Sequence, residues 1–111
     1  MSTRATIHFE DANGEVRAII YRHGDGYPKG LGVDLQTFFG DVQNQTKDTR
    51  FNDPSYLAAK WVVWDAQQAQ KLLLDFLSVG VVQQDPDDIE YRYRVICKDD
   101  KRPAVKCESV R

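Results

Sequence analysis

The chain opens with an alternation of apolar and polar residues that predicts a β-strand. Over residues 4–10 the apolar members are Ala5, Ile7 and Phe9, and the polar members are Thr6, His8 and Glu10. Asn13-Gly14 follows and is typical of a two-residue hairpin turn, because both residues tolerate positive φ. We therefore expect a β-hairpin whose second strand runs over residues 16–23.

The register of this hairpin follows from the predicted turn. It places Phe9 opposite Ala18 and Ile7 opposite Ile20, so apolar side chains meet across the two strands. It also places Glu10 opposite Arg17, which pairs opposite charges.

Two helical segments come next. The spacing of Leu35, Phe38, Phe39 and Val42 predicts a first helix over residues 33–44. Asp53-Pro54 is a helix start, with aspartate as the N-cap and proline at the first helical position, and it predicts a second helix over residues 54–70. The first half of this second helix is apolar nearly all round, which indicates a central, buried helix. Residues 72–76 fit either a helix end or an extended connection.

The last third of the chain predicts three strands, over residues 77–84, 89–98 and 103–110, with a turn at residues 85–88. The element order is ββααβββ. This order predicts one α+β domain, residues 1–111, with a single antiparallel β-sheet and two helices packed on one of its faces. The final strand is expected at an edge of the sheet.

Composition narrows the protein class. Apolar residues are 41% and charged residues 29% of the chain, which fits a globular protein rather than a disordered one. The net charge of −2 and the lack of a long basic run argue against a large non-specific nucleic-acid footprint. The sequence shows neither a secretory signal nor an apolar run that could span a membrane. We expect a cytoplasmic protein with no membrane partner.

The two cysteines, Cys97 and Cys107, lack metal-ligand spacing. They can face each other across the last hairpin, but in a reducing compartment we expect both thiols to be free. No metal and no cofactor are predicted.

A glycine-rich loop over residues 22–32 joins the predicted hairpin to the first helix. It holds Gly24, Gly26, Gly30 and Gly32, and their spacing matches neither the dinucleotide-binding fingerprint nor a P-loop. One interpretation is a compact turn. The other is a binding loop that presents two kinds of charge and two rings to a partner, through Arg22, His23, Asp25, Tyr27 and Lys29.

Of the two histidines, His23 is the better candidate for acid–base chemistry, since the neighbouring glycines can shape a pocket around it. His8 lies on the outer sheet face, roughly 13 Å along the strand from the position opposite His23. We interpret His8 as a surface residue. The carboxylates near residues 85–88 and 99–100 are interpreted as solvated turns.

A possible basic face is formed by outward residues of the strands. Its members are Arg17, Arg92 and Arg94. Such a row is most often a solvated face that prevents aggregation, but together with Tyr21 it could also bind nucleic-acid phosphates and bases. The outward residues Ile19, Tyr21 and Ile96 could instead mark a dimer surface.

The motif Tyr21-Arg22, Asp25-Gly26-Tyr27-Pro28, Gly30 and Gly32 resembles a family of small uncharacterised bacterial and phage or prophage proteins. Their shared pattern is YRxxDGYPxGxG after a short hairpin, and Asp85-Pro86 and residues 89–93 are also similar to these proteins. The resemblance implies a common fold and a prokaryotic or phage origin, and no activity comes with it.

Three functional hypotheses follow. The first is a non-enzymatic binding protein that engages a protein partner, or a second copy of itself, through residues 22–32 and the adjoining sheet edge. The second is an enzyme acting on a phosphate-containing substrate, with His23 as acid or base and with Arg22 and Lys29 holding the phosphate. The third, with weaker support, is a nucleic-acid-binding module that uses the outer sheet face.

Overall fold

The protein has two layers, a five-stranded sheet and two helices. The computed structural model describes residues 2–72 and 77–111. The strands are β1 Ala5–Glu10, β2 Val16–Arg22, β3 Val79–Val82, β4 Tyr91–Ile96 and β5 Ala104–Ser109, and the helices are α1 Val33–Gln45 and α2 Pro54–Lys71. Both helices pack on one face of the sheet, which we call the helix face; the opposite face is the outer face. The α+β class and the element order ββααβββ are confirmed.

The sheet is mixed, which corrects the expectation of a purely antiparallel sheet. The strand order is β3-β2-β1-β4-β5, and β1 pairs parallel with β4 from Ala5↔Tyr91 to Glu10↔Ile96, while the other three pairings are antiparallel. Parallel neighbours need a crossover connection, whereas antiparallel neighbours can be joined by a tight turn. Residues 83–90, which we call the crossover, carry the chain from β3 past β2 and β1 to β4.

The turn of the first hairpin also differs from the prediction. Gly14, at φ 82°, is the only residue there with positive φ, and its N–H donates to the Asp11 carbonyl at 3.0 Å. The Asp11 N–H donates to the Glu15 carbonyl at 3.0 Å. The loop therefore has three residues and ends on a glycine, the arrangement that produces a bulge in the strand after it.

A separate irregularity further along the hairpin, with Arg17 as the extra residue between Val16 and Ala18, restores the core register. Phe9 still pairs with Ala18 and Ile7 with Ile20, as predicted, but the register shifts between Phe9 and Glu10, so Glu10 faces Val16. The predicted Glu10–Arg17 pair is wrong.

The core forms between the helix face and α2. The Asp53 side chain caps α2 by accepting from the Tyr56 N–H at 3.1 Å, with Pro54 at the first helical position, as predicted. Trp61 of α2 is fully buried, stacks on Trp64 at 5.2 Å between ring centroids, and meets Phe38 of α1 edge-on at 5.4 Å. The helix is central to the core as predicted, but only one of its faces is buried, since Tyr56 and Val63 are exposed.

The remaining elements agree with the prediction apart from their ends. The strand expected over residues 77–84 is confined to Val79–Val82, and β5 lies at an edge as expected. Of the ambiguous segment 72–76, residues 73–76 lie outside the described part of the chain.

The two cysteines are free but do not face each other, because Tyr93 occupies the position opposite Cys107. Cys97 is buried, and this burial raises the pKa of its thiol to about 12. Burial likewise raises the pKa of Tyr93.

Candidate functional site

The glycine-rich loop has two parts with different roles, and the second part belongs to the fold. Asp25 has a left-handed backbone, with φ 54°. The Gly26 N–H donates to the Thr3 carbonyl at 2.9 Å, and a Cβ at Gly26 would lie 2.7 Å from the Ala5 Cβ. The Tyr93 hydroxyl donates to the Gly26 carbonyl at 2.7 Å. Gly26 is therefore wedged against β1, where no side chain fits.

A π-helical turn, Pro28–Gly32, continues this packing. The Leu31 N–H donates to the Asp25 carbonyl at 2.8 Å, and the Leu31 side chain is fully buried. A Cβ at Gly30 would overlap the Asp25 carbonyl oxygen. Residues 25–32 thus fit the compact-turn interpretation, because the glycine spacing is needed for close backbone approach.

Two predicted binding residues lie on the exposed side of this turn. Tyr27 is exposed, and its hydroxyl donates to the Asp25 carboxylate at 3.2 Å. The negative charge of Asp25 raises the pKa of Tyr27. Lys29 is exposed as well, but it does not line the cleft described below.

The first part of the loop begins with Arg22, which is buried rather than presented to solvent. Its side chain is 9% exposed; Nη2 donates to Asp34 of α1 at 2.8 Å, and Nε donates to the Gly24 carbonyl at 3.0 Å. Nη1 lies 3.9 Å from the buried carboxylate of Asp65 on α2 and has no hydrogen-bond partner within the described residues. Arg22 therefore connects β2 to both helices.

A cleft of about 830 Å³ opens beside this arginine. Its apolar lining comes from α2 and from the chain just before β3. These residues are Trp64, Ala69, Leu72 and Leu77. Leu72 is 70% exposed and Leu77 is 53% exposed, so the cleft has an apolar rim that nothing in the described chain covers.

The charged lining of the cleft is mainly acidic. One arginine, Arg22, is set against Asp25, Asp34 and Asp65. Asp65 is 5% exposed and accepts two contacts from the Ser78 hydroxyl, at 2.9 and 3.2 Å. Because the carboxylates outnumber the arginine, the cleft favours a cationic ligand over an anionic one.

His23 lies at the rim of this cleft, and its ring is exposed and meets Tyr21 edge-on at 4.6 Å. His23 thus lines a concave cleft, as the enzyme hypothesis requires, but within the described residues its ring makes no hydrogen bond to another ionisable group. The two proposed phosphate-binding residues are not brought together, however, since Arg22 is buried in its ion pairs and Lys29 lies outside the lining.

A second polar cluster, on the outer face, corrects the interpretation of His8 and Asp85 as solvated residues. The Asp85 carboxylate accepts from the Thr6 hydroxyl, the His8 ring Nε2 and the Arg92 Nε, each at 2.7 Å. The His8 side chain is only 14% exposed, and Asp85 is 18% exposed. Burial alone would raise the pKa of Asp85, but these donors lower it.

Sequence reasoning missed this cluster because it treated residues 85–88 as a simple turn. The signal in the sequence was the row of polar residues on one side of β1, Thr6, His8 and Glu10. In the structure Thr6 and Glu10 are almost fully buried. A polar row on a central strand needs partners, and the crossover and β4 supply them.

The three arginines of the predicted basic face are each paired with a carboxylate. Arg17 bonds to Asp11 at 3.0 Å, and Arg94 makes two contacts with the buried Glu10 carboxylate, at 2.7 and 3.0 Å. Arg92 bonds to Asp85, and Glu108 lies 3.4 Å from it. These carboxylates raise the pKa values of Arg92 and Arg94.

Tyr21, proposed as a stacking residue on this face, is 8% exposed. Its hydroxyl donates to Asp88 at 2.9 Å, and burial, followed by that carboxylate, raises its pKa. The ring is thus largely covered by the crossover.

Within residues 2–72 and 77–111, no group of three or more His, Cys, Asp or Glu side chains is arranged to hold a metal ion. In the same part of the chain no helix combines the length and apolar character needed to cross a bilayer.

Comparisons with protein-family models, with curated proteins and with solved structures find no match to this chain. The resemblance to proteins with the YRxxDGYPxGxG pattern therefore stays a hypothesis. What the geometry adds is a physical reason for the pattern, namely the close contacts of Gly26 and Gly30 and the buried ion pairs of Arg22.

Proposed function

We propose that this protein is a non-enzymatic binding module that captures a protein partner in the cleft beside Arg22. The observation that carries the proposal is the exposed apolar rim, Leu72 and Leu77, around a cleft that also holds buried charge. The binding-loop hypothesis predicted that the partner contacts the whole glycine-rich loop. We now expect the partner to contact only residues 22–25 of this loop, because the remaining residues pack against the protein's own core.

The apolar rim supports a macromolecular partner. Burying one leucine side chain contributes roughly 1.5–3 kcal/mol, and two exposed leucines beside Trp64 form the kind of apolar anchor that dominates protein interfaces. The apolar surface also continues past the cleft, since Val81 on the neighbouring edge strand is 77% exposed. A partner larger than a small molecule can cover both parts.

The charge of the cleft separates this proposal from the other two hypotheses. A phosphate-containing substrate or a nucleic acid would bring negative charge next to Asp25, Asp34 and Asp65. On the outer face the arginines are already engaged by carboxylates. A protein partner has no such conflict.

The proposal is tested by selecting binders to the immobilised protein from a phage library of random linear peptides, followed by affinity measurement on synthetic peptides. We expect Leu77→Ser to weaken the selected peptides by about tenfold or more, because an apolar contact of about 1.4 kcal/mol or larger is lost.

Val63→Ser is the matched control. Val63 is 56% exposed, close to the 53% of Leu77, but it does not line the cleft. Equal losses for the two variants, or selected peptides that bind both variants as tightly as the wild type, would place the binding surface elsewhere and refute the proposal.

A further inference from the structure

The strand next to the cleft has a free edge. β3, Val79–Val82, pairs with β2 on one side and with no other strand among the described residues. Its sequence, Val-Gly-Val-Val, carries no charge, whereas the other edge strand, β5, carries Lys106 and Glu108. Charged residues on an edge discourage strand addition, so the uncharged β3 is the edge that can accept another strand.

The hydrogen-bond pattern shows which groups of β3 point outward. The His23 N–H donates to the Ser78 carbonyl at 2.9 Å, and the register pairs Tyr21 with Gly80. In an antiparallel ladder the bonded pairs alternate, so Gly80 and Val82 direct their N–H and C=O groups to β2. Val79 and Val81 direct theirs away from the sheet.

The side chain of Val81 connects this edge to the cleft. Val81 pairs with Ile20, a core residue, so its side chain lies on the helix face, where it is 77% exposed. Ser78 and Leu77, which immediately precede β3, line the cleft. An added strand would therefore run beside Val81 and continue towards the acidic cleft.

We propose that the partner segment binds in an extended conformation as a sixth strand beside β3, and that it places a lysine or arginine side chain in the cleft against Asp25, Asp34 and Asp65. This inference rests on the proposed function and specifies its partner as a basic peptide segment. The added strand would gain main-chain hydrogen bonds to Val79 and Val81, while the cleft would select its side chain.

Charge complementarity distinguishes this partner from a second copy of the chain. A second β3 would bring Val-Gly-Val-Val, with no positive charge to meet the three carboxylates. The inference therefore commits to a basic segment of another protein.

The strand geometry is tested with Val81→Pro. Proline removes the outward N–H of residue 81 and no bond to β2, and proline is tolerated on edge strands. We expect this variant to bind the selected peptides about tenfold more weakly, because the hydrogen bond from the N–H of residue 81 to the added strand is lost. Val81→Ala keeps the N–H while trimming the side chain, and it should bind more tightly than Val81→Pro.

The peptide itself supplies an independent readout. Two versions of each peptide are compared, one N-methylated at the odd-numbered residues and one at the even-numbered residues. Binding should be abolished in one version and kept in the other, because only every second N–H of an edge-paired strand faces the neighbouring strand. Selected peptides should be rich in lysine or arginine, and Asp25→Asn should weaken them. Asparagine suits residue 25 because it tolerates the left-handed backbone there.

The outcomes separate the two proposals. Peptides that depend on Leu77 but are indifferent to Val81→Pro and to N-methylation would keep the proposed function and overturn strand addition. Neutral or acidic selected peptides would overturn the basic partner. A dimer of the free protein that Val81→Pro dissociates would assign the edge to a second copy and overturn the inference, and peptides indifferent to Leu77 would remove the proposed function as well.

Discussion

Gly26 has no room for a side chain, because an added Cβ would lie 2.7 Å from the Ala5 Cβ and 2.9 Å from the Thr3 carbonyl oxygen. Gly24, two residues earlier, has a single neighbour near such a Cβ, the Ser2 hydroxyl oxygen at 3.9 Å. The same residue type therefore has two roles in one loop. Gly26 fixes the loop against β1, and Gly24 borders the cleft.

This difference gives a test by substitution. Gly26→Ala should lower the free energy of unfolding by about 1–3 kcal/mol, since backbone and the Ala5 side chain must shift to admit a methyl group. Gly24→Ala should change it by less than about 1 kcal/mol, and the change can be stabilising, because alanine restricts the unfolded chain. Urea unfolding of both variants measures the difference. A Gly26→Ala variant as stable as Gly24→Ala would contradict the wedge.

Single side chains were also the least predictable part of the site. The sequence indicated that Arg22 is a loop residue exposed to a binding partner, but in the structure it is buried between Asp34 and Asp65. Those aspartates belong to two different helices, and no local pattern indicates that they converge on one arginine. His8 was likewise interpreted as a surface residue, but the crossover covers it and its side chain is only 14% exposed.

The crossover spans the outer face of β2 and β1 without any regular secondary structure of its own, so side-chain contacts must hold it in place. Asp85 attaches it there through three donors, one of them Arg92 of β4. Hydrogen bonds to an ionised group each contribute roughly 1.5–3 kcal/mol. Asp85 thus makes the most side-chain hydrogen bonds of the crossover, and Asp88 adds a second attachment by accepting from Tyr21.

Asp85→Asn should therefore destabilise the protein at neutral pH, by roughly 1–3 kcal/mol, since the amide keeps an acceptor but loses the charge. The folded-state pKa of Asp85 is lowered, so its contribution is present above the ordinary carboxyl pKa of about 3.9 and is lost as the pH falls towards the lowered value. Unfolding free energies measured between neutral pH and the acid limb should fall less steeply for Asp85→Asn than for the wild type.

Asp87→Asn is the control for that experiment. Asp87 is exposed on the same crossover, and its side chain makes no hydrogen bond among the described residues. If both variants were equally stable and equally sensitive to acid, Asp85 would not hold the crossover.

Taken over the whole chain, the parts of the fold that could be predicted are those set by local periodicity. Alternation gave the strands, helical spacing gave α1, and Asp53-Pro54 gave the start of α2. The partner of β1 could not be predicted in this way, because the apolar alternation of β4 fits parallel and antiparallel pairing equally well. The predicted strands over residues 77–84 and 89–98 left only a four-residue turn between them, so the length of the crossover was not visible either. The cleft was even harder to predict from the sequence, because its lining residues come from β2, both helices and the chain before β3.

The strand order also predicts how protection against hydrogen exchange varies across the sheet. β1 is bonded on both sides, to β2 and β4, so its amides should exchange only through extensive opening and be among the slowest. In β3 the amides of Gly80 and Val82 face β2, whereas those of Val79 and Val81 face outward. We expect an alternating pattern within four consecutive residues, with fast exchange at Val79 and Val81 and slow exchange at Gly80 and Val82. Amide exchange followed by nuclear magnetic resonance resolves each position. Uniform protection along β3 would mean that its edge is already covered in the free protein, and strand addition by a partner would then be excluded before any peptide is tested.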